Sequence, residues 1–353
     1  VPTNPVHYPL VGLVIAGYSD FSWFCQPVFY HLCNSNSSLT HTKSAMQFAI
    51  NKLFYLSLAC FSLLSFQVRA NDSLNVEFSK KKLAMVSAAG GVIYGGAMIG
   101  VSQAWYRHYE QTSFQFFNDN AQWLQMDKLG HTMTSYYMGR IAVRAMQWTG
   151  TKRKKSIYYG AAYALMFQTT IEVMDAHSAA WGFSVGDMAA NVLGSAMLVS
   201  QELLWDEQRL TLKFSTHPTK YAQYRPETLG KGFSEAWLKD YNGQSYWLSV
   251  NPAAFMKKKP NWFPGWLNIA GGYSIDGVLG GTENPLFNQA GKPIPPFNRQ
   301  RQFYLSLDVD LTRIKTNSKA LKTCFELLNF VKIPAPALEF NQDGSVRVYG
   351  LYY

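Results

Sequence analysis

Apolar positions change their spacing several times along the chain. Over residues 1–45 they follow no sustained period: Tyr, Phe, Pro and Ser crowd a segment whose only acid is Asp20 and whose only base is Lys43. At Met46 a compact pattern begins, MQFAINKLFYLSLACFSLLSFQVRA. Lys52 stands ahead of an apolar run from Leu53 to Phe66, and Val68 and Ala70 close it. A basic head, an apolar stretch and a small-residue exit make a secretory signal peptide, with an uncleaved anchor helix as the alternative. The expected division is a leader or mis-called upstream extension at 1–45, a signal peptide at 46–70, and a mature chain from about Asn71.

Four apolar stretches of helical length follow. The first, Leu83 to Tyr106, holds no charged residue and is long enough to span a bilayer. Gly91/Gly95 and Gly96/Gly100 lie four apart in it, a spacing that lets helix backbones approach closely. The others run from about Lys128 to Trp148, Ser156 to Ala176 and Ser184 to Arg209. Ser184 is a plausible helix cap, with Asp187 three residues on. If these were inner-membrane spans, Lys80–Lys82 and Lys152–Lys155 would both fall outside, against the positive-inside tendency. Arg140 and Arg144 would also be costly in lipid unless paired. A helical bundle lying on or partly in a membrane fits better.

Beyond Arg209 the period becomes two. In RQFYLSLDVDLTRI, Phe303, Leu305, Leu307, Val309 and Leu311 share one side, which predicts a half-buried strand. SYWLSV and WLNIAGGYSI read likewise, and LEFNQDGSVRVYGLYY reads as a hairpin turning at Asp343-Gly344. One helix, about Ser318 to Phe330, interrupts them. Five or six strands fall below the roughly eight of a membrane barrel. The fold class is therefore α+β: an N-terminal bundle of about four apolar helices within 71–209, then a strand-rich C-terminal part, 210–353, with one helix.

A formal charge of +10 favours acidic partners. Nothing resembles a zinc finger, a P-loop or an aromatic–basic platform, so nucleic acid is not expected. An anionic membrane surface, the outer membrane, or an envelope lipid or glycopolymer remains. Lys257–Lys259 beside Trp262, Phe263 and Trp266 is either an interfacial element or a solvated loop. Of Cys25, Cys33, Cys60 and Cys324, cleavage after Ala70 would leave only Cys324, expected as a packed helix residue. Tyr241-Asn242-Gly243 reads as a turn with a positive φ at its glycine.

Polar residues on the apolar helices carry the candidate chemistry. Asp127, Lys128 and His131 head the second helix, with Asp127 and His131 on one face. Gln168, Glu172 and Asp175 share a face of the third, with His177 beyond it. Asp187 and Asn191 lie four apart on the fourth, with Gly194 and Ser195 a turn further. Buried carboxylates need partners, so convergence of the three stripes is expected. His131, Glu172 and Asp187 are the catalytic candidates. Asp127, Lys128, Gln168, Asp175 and Asn191 are the binding candidates. The cluster suits acid–base work, a divalent metal, or a hydrogen-bond network that only ties the helices together.

The combination DKLGH, Gln168-x-x-x-Glu172 and SVGDMAANVLGSA resembles the signature of the YfiM-like and VanZ-like group. WLQMDKLGH, WGFSVGDMAANVLGSA, LLWDEQR and WLKDYNGQSYWLS are similar to an uncharacterised family of predicted periplasmic proteins of Gram-negative bacteria. The likeness spans roughly Asn118 to Tyr353. It implies an envelope protein at the periplasm or outer-membrane periphery, with no assigned reaction. YfiM-like members are predicted envelope lipoproteins, and VanZ-like members are linked to glycopeptide (teicoplanin) resistance. This chain departs from both: Ser57-Leu58-Ala59 before Cys60 is a poor lipobox, and the strand-rich part is long.

Overall fold

The computed structural model describes residues 77–352, His108 excepted. The segment at 1–45, the signal-peptide reading of 46–70, and Cys25, Cys33 and Cys60 lie outside the described residues. Within them the chain builds four long helices, then a sheet with three shorter helices in its connections.

Helix α1, Lys80–Val101, runs on into a π-helical turn, Ser102–Tyr106. Ser79 caps it, its Oγ accepting from Lys82 N at 3.3 Å. Among the described residues it is the one helix long and apolar enough to cross a membrane, and no residue of it is buried. Polar contacts tether it: Tyr163 OH donates to Gly90 O at 3.0 Å, and Tyr94 OH lies 2.7 Å from Thr170 Oγ1. The paired glycines meet no neighbour, so their expected role in close helix packing is not realised here.

Helices α2 (Met126–Trp148), α3 (Arg153–Ala176) and α4 (Val185–Leu204) pack together. Tyr136, Val143, Ile157 and Leu198 form their shared apolar core. The backbones approach where side chains vanish: a Cβ at Gly160 would meet Val143 of α2. The third helix, expected from about Ser156, starts at Arg153 with Lys152 as its N-cap, and Arg153 pairs with Glu202 and Asp206, both at 2.6 Å, at the end of α4. Helix α4 ends at Leu204 rather than Arg209. Asp206 turns left-handed (φ 58°), and Gln201 Oε1 accepts from Arg209 N and Leu210 N.

Six strands follow: β1 Leu210–Thr216, β2 Gln244–Val250, β3 Leu267–Asp276, β4 Gln300–Val309, β5 Ala335–Asn341 and β6 Val346–Tyr352. They pair antiparallel in chain order. Helices α5 (Pro226–Leu229) and α6 (Phe233–Lys239) join β1 to β2, and α7 (Lys319–Leu328) joins β4 to β5. The hairpin at Asp343-Gly344 forms as expected, with Gly344 at φ 85°. Cys324 is exposed on α7, not packed as expected, because that helix buries none of its residues. The sheet curls until β1 meets the chain just before β5. Phe214 N donates to Phe330 O at 2.8 Å, and Lys332 N donates to Phe214 O at 2.9 Å. Part of its outer face lies against α2, where Leu212 packs on the helical core and Tyr137 OH donates to Leu212 O.

The polarity of this sheet is reversed. In β4 the apolar side, Phe303, Leu305 and Leu307, is exposed, and the polar side, Gln302, Tyr304, Ser306 and Asp308, is buried. The half-buried strand expected from the period is present with its faces exchanged. The curl explains how. Interior polar groups satisfy one another: Lys213 Nζ lies 2.9 Å from Asp308 Oδ2 with both side chains fully buried. Ser249 Oγ donates to Asp308 Oδ2 at 2.6 Å. Glu339 accepts from Tyr304 and Tyr349, and Lys332 Nζ donates to Leu307 O. A buried ion is tolerated only when it is paired and hydrogen-bonded. Asp308→Ala would leave Lys213 without its carboxylate, so equilibrium unfolding should show a loss of about 3–5 kcal/mol. Lys213→Met with Asp308→Leu together should lose much less.

Candidate functional site

The sequence reaches the head of α2 through an unusual turn. Trp123, Leu124 and Gln125 all have left-handed φ, at 49°, 50° and 67°. Such backbone costs energy for residues bearing a Cβ and persists only where the surroundings impose it. Here the sheet imposes it: Tyr273 OH and Arg301 Nη1 both donate to Leu124 O. Arg301 also reaches Gln125 Oε1, and Trp123 N donates to Gly281 O at 2.8 Å. The turn aims Asp127, Lys128 and His131 inward.

Lys128 stands between two carboxylates. Its Nζ lies 2.6 Å from Asp119 Oδ1 and 2.7 Å from Asp187 Oδ1, with Asp127 Oδ2 at 3.7 Å. Ser184 caps α4 as expected, its Oγ accepting from Asp187 N at 3.0 Å while donating to Asp119 Oδ1 at 2.6 Å. His131 lies among acids: Nε2 is 3.8 Å from Asp127 Oδ1 and 4.0 Å from Asp187 Oδ1, and Nδ1 is 3.6 Å from Glu172 Oε1. Asn191 Oδ1 lies 3.1 Å from His131 Nδ1 and accepts from Gln168 Nε2 at 2.7 Å. Ser184 N donates to Glu172 Oε2 at 3.2 Å. Seven of the eight candidate residues thus converge from three helices.

Asp175 does not join them. It accepts from Tyr106 OH at 2.7 Å, beyond the end of α1. His177 lies apart, its Nδ1 3.1 Å from Thr112 O. Ser195 pairs with Ser135 at 2.8 Å, and Gly194 lets α4 touch α2, since a Cβ there would strike Thr132 O. Two participants carried no pattern in the sequence. Asp119 sits in an irregular segment, and Tyr241, whose OH donates to Asp127 Oδ1 at 3.0 Å, sits in the Tyr241–Gly243 turn ahead of β2. That turn forms as expected, but Gly243 is not at positive φ. It is needed because a Cβ would strike His217 O.

Burial sets the protonation of the cluster. It raises Glu172 to about 8, with Asp187 adding to the rise and His131 opposing it. Burial and then Asp127 raise Asp187 to about 7, against the pull of His131 and Lys128. Burial pulls His131 down, yet Asp127, Asp187 and Glu172 together hold it above its ordinary value. Burial pushes Asp119 up, yet its contact with Asp187, followed by those with Lys128 and Ser184, holds it below its ordinary value.

Two chemical capacities follow. One is a polar clasp that joins α2, α3, α4 and the sheet. The other is a cation site: the ligand atoms of Asp127, His131 and Asp187 lie within 4.8 Å of one another. Glu172 Oε1, Gln168 Oε1 and Asn191 Nδ2 are buried without hydrogen-bond partners, and Lys128 Nζ and Asp187 Oδ1 meet as an ion pair without hydrogen-bond geometry, so the donor set fits an additional polar occupant. Two carboxylates and an imidazole suit a divalent transition metal. Against it, the Lys128 ammonium already sits on Asp187. A cavity of about 1250 Å³ lies elsewhere, under α1, and none of the seven convergent residues lines it.

Residues 115–201 match a family model described as "Predicted periplasmic lipoprotein (DUF2279)". That segment contains the cluster from Asp119 to Asn191, leaving out Tyr241. Neither the curated proteins nor the solved structures provide a match to the chain.

Two outcomes are expected. Gly194→Ala should lower stability by about 1–3 kcal/mol in denaturant unfolding, because the new methyl must push α4 off the α2 backbone. Burial raises Asp175 to about 6, against the pull of Tyr106 and His131. A raised carboxyl pKa means the folded state holds the proton longer, so this contribution is fully present below about pH 4 and is lost as pH rises through about 6. Thermal unfolding of the Asp175→Asn variant should show a flatter profile across that window.

Proposed function

We propose that the chain is a cell-envelope protein of the periplasm or outer-membrane periphery, in which the polar constellation serves as a structural clasp. The observation that carries this is Lys128, whose ammonium is already taken up by Asp119 and Asp187. The envelope location rests on the similarity of residues 115–201 to a predicted periplasmic lipoprotein family. Signal-peptide export over 46–70, a helical unit over 71–209 and a strand-rich unit over 210–353 belong to the same reading. So does kinship with YfiM-like and, more distantly, VanZ-like proteins.

A second reading is favoured by one observation, the mutual approach of Asp127, His131 and Asp187. In it those residues hold a divalent metal, while Glu172 and Asn191 orient His131, and the cluster handles an envelope lipid or glycopolymer. Metal titration separates the two. The clasp predicts that Zn²⁺ or Mn²⁺ leaves the unfolding midpoint of the purified protein unchanged, and that Asp187→Ala costs about 1–3 kcal/mol by leaving Lys128 with Asp119 as its one close carboxylate. A midpoint that rises with added metal, and ceases to do so in His131→Ala, would instead establish the metal reading.

A further inference from the structure

We propose that the bare outer face of the curled sheet is a bilayer-contacting surface, seated in anionic phospholipid. This goes beyond the clasp and does not depend on it. Cross-strand register builds the face in rows. One row is Tyr246, Tyr273, Phe303, Phe340 and Val346. The next is Leu248, Gly271, Leu305, Leu338 and Val348. A third is Val250, Ile269 and Leu307. All three run without a charged residue. Leu248, Ile269 and Leu305 are nearly half exposed, and Val348 is 77% exposed.

A surface of this kind in water would be paired with an apolar interior. Here the interior carries Lys213, Asp308, Ser249, Asn268 and Glu339, all buried, around an aromatic cluster of Trp247, Tyr304, Tyr349 and Tyr352. Polar inside and apolar outside is the arrangement of sheets whose surroundings are lipid, where the backbone is satisfied within the sheet and the apolar band ends in aromatic residues. Phe303 and Phe340 of the first row, both exposed, supply such an aromatic end, while Tyr246 and Tyr273 pack against the head of α2. Beyond the opposite end, the β2–β3 connection carries Lys257, Lys258 and Lys259 ahead of Trp262, which is 81% exposed, and Trp266. Tryptophan and lysine side by side suit the headgroup level of an anionic leaflet. That charge complementarity selects lipid over a second copy of this chain, which would bring the same basic loop. Tyr246 also lines the cavity under α1, so the apolar surface continues from the sheet toward the exposed helix.

Because α1 alone could hold the protein on vesicles, the test must read the sheet itself. Nitroxide labels are placed at Leu305→Cys and Val348→Cys in the full chain, with its native cysteines replaced by Ser, and a control label at Glu235→Cys on α6. The protein is bound to mixed phosphatidylglycerol–phosphatidylcholine vesicles. Collisions with oxygen and with a water-soluble nickel chelate are then compared. The proposal expects labels at 305 and 348 to favour oxygen, and the control to favour the chelate. It also expects Lys257→Gln/Lys258→Gln/Lys259→Gln to weaken the preference for anionic vesicles at least tenfold. Labels at 305 and 348 that stay as open to the chelate as the control overturn it, as does failure to bind vesicles. Shielding of both labels without lipid, together with a doubled mass, overturns it in favour of a dimer.

Discussion

The Lys128 ammonium, enclosed by Asp119 and Asp187, is the contact that brings the segment before α2, α2 itself and α4 together. Asp119 comes from the segment before α2, Lys128 from α2 and Asp187 from α4, so one cation joins three stretches of chain. Ser184 couples the same group to the start of α4 by capping Asp187 N and bonding Asp119. The left-handed turn at Trp123–Gln125 is held from the sheet side by Tyr273 and Arg301. The clasp and the turn therefore place α2 between the two halves. Burial makes the clasp demanding: an ammonium that loses one carboxylate cannot recover its hydration.

The sheet obeys the same rule with the opposite geometry. Its interior ions pair across strands, as Lys213 does with Asp308, while its hydrocarbon faces outward. Polar groups are concentrated inside both halves, and apolar side chains are left on the surface of α1 and of the sheet. An aqueous surface would make this costly, and a lipid one makes it natural.

Much of this was legible in the chain. The α+β order and the four long helices follow from period, the hairpin at Gly344 from its Asp-Gly turn, and the polar stripes of Asp127 with His131, Gln168 with Glu172 and Asp187 with Asn191 from helical spacing, while their meeting was expected because buried carboxylates need partners. Asp119 and Tyr241 were not legible, since residues in irregular segments are brought to a site by tertiary contacts that leave no period. Asp175 misled for a related reason: it is helically aligned with Glu172, yet Tyr106 takes it first. The short helices α5 and α6 were too brief to stand out. Alternation in β4 gave the strand and could not give the buried side, because a period of two is identical for an ordinary sheet and an inverted one.

The most direct test of the clasp is a double-mutant cycle between Lys128→Met and Asp187→Leu, read by equilibrium unfolding. A charge pair that holds the helices together predicts strong coupling, with the double variant more stable than the sum of the single losses by about 2 kcal/mol or more. Additivity within about 0.5 kcal/mol would contradict it. The two groups would then be neighbours without energetic dependence, and the clasp could not be what orders the bundle.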